Sequence, residues 1–142
     1  MRALLDINIL LALLDKAHVH HQRARSWFRN QVSNGWASCP FTQNGFVRII
    51  SQPRYPKAIS TSQAITLLSN ATSTSYHDFW PANVSLLDNR VLDSSRVHGP
   101  KQITDLYLLA LSVSNGGCLA TFDQNIPLSA VPGASAKNLV IV

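Results

Sequence analysis

The chain contains no glutamate. Its seven acidic residues are all aspartates, at positions 6, 15, 78, 88, 93, 105 and 123 of 142. Any carboxylate chemistry therefore falls to a few short, stiff side chains. Charge is scarce, at 13% of residues, yet twelve Lys and Arg leave a net charge of +5 and a pI near 9.7. A basic balance on a lightly charged chain favours a polyanionic partner, nucleic acid ahead of membrane. No polybasic run carries it: Arg23, Arg25 and Arg29 fall near one predicted helix, Arg48, Arg54 and Lys57 in the next region, and Arg90, Arg96 and Lys101 further on. Cysteine is nearly absent, and Cys39 and Cys118 form neither a CxxC nor a metal-finger spacing, so both are expected as reduced core residues. No apolar run approaches the ~18 residues of a membrane helix. Asp6, Asn8 and Asp15 break the apolar stretch that a signal peptide would need. The expectation is a cytoplasmic protein with no membrane partner. With 46% hydrophobic residues in this length, the chain is expected to form one domain spanning 1–142.

The apolar pattern orders the elements. Ala3 to Leu5 reads as a short buried strand, and Ile9 to Leu14 opens a helix. In "KAHVHHQRARSWFRNQVSNG", Val19, Ala24, Trp27, Phe28 and Val32 recur at helical spacing, and Asn34-Gly35 closes the helix. "WASCP" is strand-like and stops at Pro40, after which Thr42 is expected to cap a helix carrying Phe46, Val47, Ile49 and Ile50. Ser60 or Thr61 caps a helix through Leu67 and Leu68, and "YHDFW" is a further strand candidate. "QITDLYLLALSVSNGG" reads as a helix with Ile103, Leu106, Tyr107, Ala110, Leu111 and Val113 inward, followed by the strands "CLATFD" and "NLVIV". This order predicts an α/β domain with a mostly parallel central sheet. In such sheets, sites form at the carboxyl ends of the strands.

The aspartates fall at those ends. Asp6 follows the first predicted strand and Asp123 follows "CLATF", while Asp105 occupies the first turn of the helix leading into that strand. Each has an ordinary structural explanation: a helix cap for Asp6 or Asn8, and a favourable interaction with the helix dipole for Asp105. Together they need more. Carboxylates about 5 Å apart repel by roughly 3 kcal/mol per pair at an effective dielectric near 20. Either their pKa values rise or a cation sits among them, and no Lys or Arg adjoins Asp6 or Asp123 in sequence. A hard divalent ion, Mg²⁺ or Mn²⁺, suits an all-oxygen set. The histidines of "KAHVHHQRA", His18, His20 and His21, do not share a helical face and lie apart from the acid motifs, so they read as surface or helix-start residues.

"LLDINILLALLD", "TQNGFVRII" and "GPKQITDLYLLALSVSNGGCLATFDQNI" resemble, in order and spacing from Leu4 to Ile126, the PIN-domain ribonucleases, and among them the VapC-type toxins of toxin-antitoxin pairs. Asp105 and Asp123, eighteen positions apart around an apolar helix and strand, carry the most specific part of the match. The resemblance implies a PIN-like three-layer α/β/α sandwich. It further implies an endoribonuclease dependent on Mg²⁺ or Mn²⁺, in which Asp6, Asp105 and Asp123 hold the metal. Asn125 stands where a further acid is common and is expected to bind metal through water, with Asn8 and Thr121 orienting the carboxylates. The implied partners are an RNA substrate, a cognate antitoxin and a second copy of the chain, with Trp27 and Phe28 as a candidate surface for either protein. The implied products carry a 5′ phosphate and a 3′ hydroxyl. One departure stands out: the family's usual glutamate near the start of the third helix is replaced, by register, by Asn44, or else by Gln43. An amide orients water but neither takes a proton near neutral pH nor adds negative charge. Two other classes compete. One is a PIN-like module that grips RNA without cutting it. The other is a phosphoaspartyl enzyme, disfavoured because Asn8 occupies the position of a dehalogenase-type phosphatase's second acid and no receiver-type acidic pair is present.

Overall fold

In the computed structural model, which describes residues 1–142, five three- or four-residue strands form one sheet: β1 (Ala3–Leu5), β2 (Trp36–Ser38), β3 (His77–Phe79), β4 (Cys118–Thr121) and β5 (Leu139–Ile141). Their order is β3-β2-β1-β4-β5, and every neighbouring pair is parallel. The helices are α1 (Ile7–Leu14), α2 (His21–Gln31), α3 (Pro40–Ile50), α4 (Thr61–Thr72) and α5 (Ile103–Ser114). The predicted parallel α/β sandwich is the observed one.

The alternation of strand side chains builds the three layers. Ala3, Leu5, Trp36, Cys118 and Ala120 point to one face, where they join Ile9, Leu10, Phe46, Ile50, Ala64 and Leu68 of α1, α3 and α4. Leu4, Ala37 and Leu119 point to the other, against α5. Leu106 to Ser112 of α5 are all buried, so this helix has no solvent stripe in its middle. The expected one-sided stripe therefore missed Leu108 and Leu109. The reason is tertiary: Trp80, Leu92, Ile126, Ala130 and Val131 cover the outer side of α5, and a helix covered on all sides is apolar all round.

Two helix starts fall earlier than the apolar pattern suggests. Asp6, one of the two expected caps, caps α1 from extended backbone, its carboxylate accepting the Ile7 N–H at 2.7 Å, so the helix begins two residues before the apolar run. Helix α3 begins at Pro40 with Cys39 as its cap. Pro40 opens the helix instead of merely ending the strand, because its fixed φ suits the first helical position. Thr42 thus sits inside the first turn and bonds back to Cys39. Val19 lies outside α2, on the surface.

Between α5 and β4 the chain turns at Gly116 and Gly117. A Cβ at Gly117 would lie 2.5 Å from the Arg2 carbonyl oxygen and 2.6 Å from Cη2 of buried Trp80. Neither neighbour is a flexible tip. Gly117→Ala should therefore cost about 1–3 kcal/mol, as overpacking does. Chemical denaturation would show it as a lowered midpoint with an unchanged slope; a variant as stable as the parent would contradict this packing.

Candidate active site

Sheet order places the site. From the centre, β1 hands the chain to β2 on one side while β4 arrives on the other, and ligands bind at such a switch point beyond the carboxyl ends. Leu5 pairs with Ala120 across β1 and β4, and the Asp6 N–H donates to the Ala120 carbonyl at 3.0 Å. Asp6 and Thr121 are therefore forced side by side. The Thr121 hydroxyl donates to Asp6 Oδ2 at 2.6 Å, and its oxygen accepts from Asn8 Nδ2 and from the Asp123 N–H, each at 3.1 Å. One hydroxyl thus ties Asp6, Asn8 and Asp123 together.

Asp105 reaches the same rim because α5 runs back along the sheet toward the start of β4. Its first turn consequently lies at the carboxyl edge. Asp6 is buried, with 5% of its surface exposed, while Asp105 and Asp123 are half-buried. Burial pushes the Asp6 carboxyl up; the bonds from Thr121 and Ile7 oppose the rise and the Asp123 charge adds to it. Asp105 is pushed up to about 6, first by burial and then by the charges of Asp6 and Asp123. The molecule's two ion pairs, Asp88–Arg90 and Asp93–Arg96, involve none of these acids.

The remaining expected residues divide. Asn125 is exposed; its N–H donates to Asp123 Oδ1 at 2.8 Å, and its carbonyl accepts from Gln102 Nε2 at 3.2 Å. Gln102, which no motif had flagged, also accepts the His98 N–H through Oε1 at 3.0 Å. It clamps the Asp123 loop to the start of α5. Gln43 is engaged elsewhere, its amide donating to the buried Ser38 hydroxyl at 3.0 Å. Asn44 is exposed and makes no hydrogen bond, lining a groove with Ile65, Leu68 and Thr72 of α4. It is the amide left free near the start of α3. The histidines are nearer the acids than their sequence positions suggested, since the His20 ring lies 5.0 Å from Phe122, which adjoins Asp123.

The donor set suits a hard cation: three carboxylates with no basic partner, one held high by burial and by its neighbours' charges. As placed, no three acidic, histidine or cysteine groups converge closely enough to enclose an ion directly. The fit is one of chemistry and charge.

Comparison with known proteins adds the family. No protein-family model matches the chain. It is 62% identical over 139 residues to Ribonuclease VapC44 of Mycobacterium tuberculosis, covering 98% of each chain. The chain belongs to the VapC ribonuclease family. Ribonuclease VapC39 of the same organism is 43% identical over 94% of this chain and 96% of its own. Ribonuclease VapC38 is 40% identical over 87% and 86%. Among solved structures, a chain from the crystal structure of VapBC2 from Rickettsia felis bound to a DNA fragment from their promoter aligns over all of this chain and 98% of its own. Its TM-score is 0.60 at 14% identity, which bears on the fold alone. The family and sandwich expected from the three motifs are those found. No helix of this VapC chain is long and apolar enough to cross a membrane.

The raised Asp105 carboxyl gives a sign for stability against pH. Its folded value of about 6 exceeds the ordinary 3.8, so its contribution is fully present below about pH 4 and is lost as pH rises through 6. Without metal, Asp105→Asn should remove part of that loss and melt roughly 2–5 °C above the parent at pH 7, while matching it near pH 4. Thermal melts in EDTA at both pH values check this; an equal or lower melting point at pH 7 would show that the Asp105 carboxyl is not held up in the folded chain.

Proposed function

We propose that this VapC protein is the toxin of a toxin-antitoxin pair, an endoribonuclease dependent on Mg²⁺ or Mn²⁺ and formed by a single domain. The observation that supports it best is the placing of Asp6, Asp105 and Asp123 along one rim with no basic partner, Asp105 being held up by burial and by the charges of the other two. Asp6, Asp105 and Asp123 would hold the ion, with Asn125 as a further ligand through water. Bound there, a divalent ion supplies polarisation of the scissile phosphate and a water of lowered pKa.

The chain's own groups do the rest. Thr121 donates to Asp6 Oδ2 while the Ile7 N–H donates to Oδ1, so the orientation of that carboxylate is fixed from both sides, and Asn8 fixes the Thr121 hydroxyl. Gln102 and Asn125 hold the Asp123 loop in place. Asn44 orients water or RNA where the family usually has an acid. Exposed Lys101, beside the start of α5, is placed to meet a backbone phosphate.

The antitoxin has a surface to suit it. A cleft of about 530 Å³ between α1, α2 and α4 is lined by Leu10, Leu14, Phe28, Trp36, Leu67 and Tyr76, among others, together with Lys16 and Arg25. An apolar helix with acidic flanks fits such a groove. Phe28 lines this cleft and also packs edge-on against Trp36, so its role is partly structural. A second copy of the chain is the remaining partner.

Cleavage of a labelled small-RNA pool by the purified protein should require Mg²⁺ or Mn²⁺ and stop in EDTA. Asp6→Ala and Asp123→Ala should each lower the rate on the order of 10³-fold or more, the loss of several kcal/mol of transition-state stabilisation, with the fold intact by circular dichroism. Full activity in either variant would sink the assignment. RNA binding without cutting under every condition would favour the binding module, and make the absent glutamate decisive. Thr121→Val should reduce the rate less, about 10–100-fold, because it removes only the support of a ligand. Rate measurements across Mg²⁺ concentrations check this; a valine variant as active as the parent would leave the hydroxyl without a role.

A further inference from the structure

A cation and two rings meet the acid rim at the α1–α2 connection. There the His20 N–H donates to His18 Nδ1 at 3.0 Å, folding the loop back so that the His20 ring lies 5.0 Å from the Phe122 ring. One turn into α2, the Arg23 guanidinium sits 5.3 Å above the centre of that same ring. Phe122 is not an arbitrary surface aromatic. It separates Thr121, which bonds Asp6, from Asp123, and its N–H donates to Asn8 Oδ1 at 3.4 Å. Its backbone is therefore held by the same groups that hold the acids.

The state of Arg23 is informative. Arg2, Arg54, Arg90 and Arg96 all hydrogen-bond or pair within the chain. The guanidinium of Arg23, like those of Arg25, Arg29 and Arg48, makes no hydrogen bond and no ion pair, but Arg23 alone lies over an aromatic ring, one that adjoins the acid rim. The attraction of the ring for the cation accounts for its position, and a guanidinium so held keeps its planar fork of donors free for a phosphate. His20 and Arg23 are exposed and Phe122 is half-buried. An accessible aromatic face beside an unengaged guanidinium is the chemistry by which proteins take up single-stranded RNA: bases stack and phosphates are gripped by the cation.

Resting on the ribonuclease reading above, we propose that Arg23, His20 and Phe122 form a positioning site for the RNA nucleotide next to the scissile phosphate. Arg23 donates to that nucleotide's backbone phosphate, the His20 ring stacks on its base, and Phe122 holds both in register with the acids. None of the three takes part in bond breaking. Their contribution is to affinity and alignment.

The test is steady-state cleavage, at several salt concentrations, of a single-stranded RNA that the parent protein cuts. Arg23→Ala should raise KM about 5–20-fold with kcat nearly unchanged, and reduce the salt slope of log(kcat/KM) by about 0.7, the value for one phosphate contact on a single strand. Arg23→Lys keeps the charge without the fork and should fall between. His20→Ala should raise KM about 2–5-fold with no change in salt slope, since stacking is not a charge contact. Phe122→Leu should resemble Arg23→Ala. Arg29→Ala, on the exposed side of the same helix, should change nothing. An active, folded Arg23→Ala protein with the parent's KM and salt slope would overturn this site alone. A parent protein that neither cuts nor binds RNA would overturn the ribonuclease reading and this site with it.

Discussion

The bond from the Thr121 hydroxyl to Asp6 is the constraint on which the site depends. A buried carboxylate is costly unless its charge is met by hydrogen bonds or a cation, and Asp6 is almost wholly enclosed. Two donors meet it, the Thr121 hydroxyl and the Ile7 N–H. The second is local to the start of α1, but the first exists only because β1 and β4 are parallel neighbours with Leu5 opposite Ala120. A slip of one residue would turn Thr121 to the opposite face and leave Asp6 with the Ile7 N–H alone. The register of two very short strands therefore decides whether the acids meet. That register is held in turn by the two apolar cores, since the alternating side chains of β1, β2 and β4 sort cleanly onto opposite faces.

Because every acid is an aspartate, the backbone must do most of the placing. An aspartate has only one carbon between its backbone and its carboxyl group, so each carboxylate stays close to the rim position its element gives it. Asp6 comes from a strand end that is also a helix cap, Asp123 from the turn after β4, and Asp105 from the first turn of an antiparallel-running helix. The supporting bonds are correspondingly local. Gln102 to Asn125 closes the Asp123 loop onto the start of α5, and Asn8 closes α1 onto Thr121.

Much of this could be read in the sequence, and what could not be has a common cause. Short apolar runs ending in Asp6 and Asp123, with Asp105 at a helix start, are local patterns whose meeting follows once the sheet is parallel. The missed features all depend on chain segments distant in sequence. The full burial of α5 needs the segments carrying Leu92 and Val131, and the approach of His20 and Arg23 to Phe122 needs a loop folded over the rim. Hydrophobic period does not report such contacts. The early start of α3 has a local cause: Pro40 stops a strand but equally suits the first position of a helix.

The charge balance at the rim bears on how RNA is drawn to it. Three carboxylates repel a phosphodiester as well as one another, and the absence of any glutamate limits that repulsion. It also leaves less negative charge to hold a cation, so the bonds that orient Asp6 and Asp123 matter more than they would in a richer set. Attraction for the polyanion must then come from the flanks. Arg23 and His20 stand on one side of the acids and Lys101 beside the helix start that carries Asp105. With so few charges in the chain, the arrangement of those few decides the path of the strand: cations beside the rim attract the backbone, and the acids meet it where an ion offsets their charge.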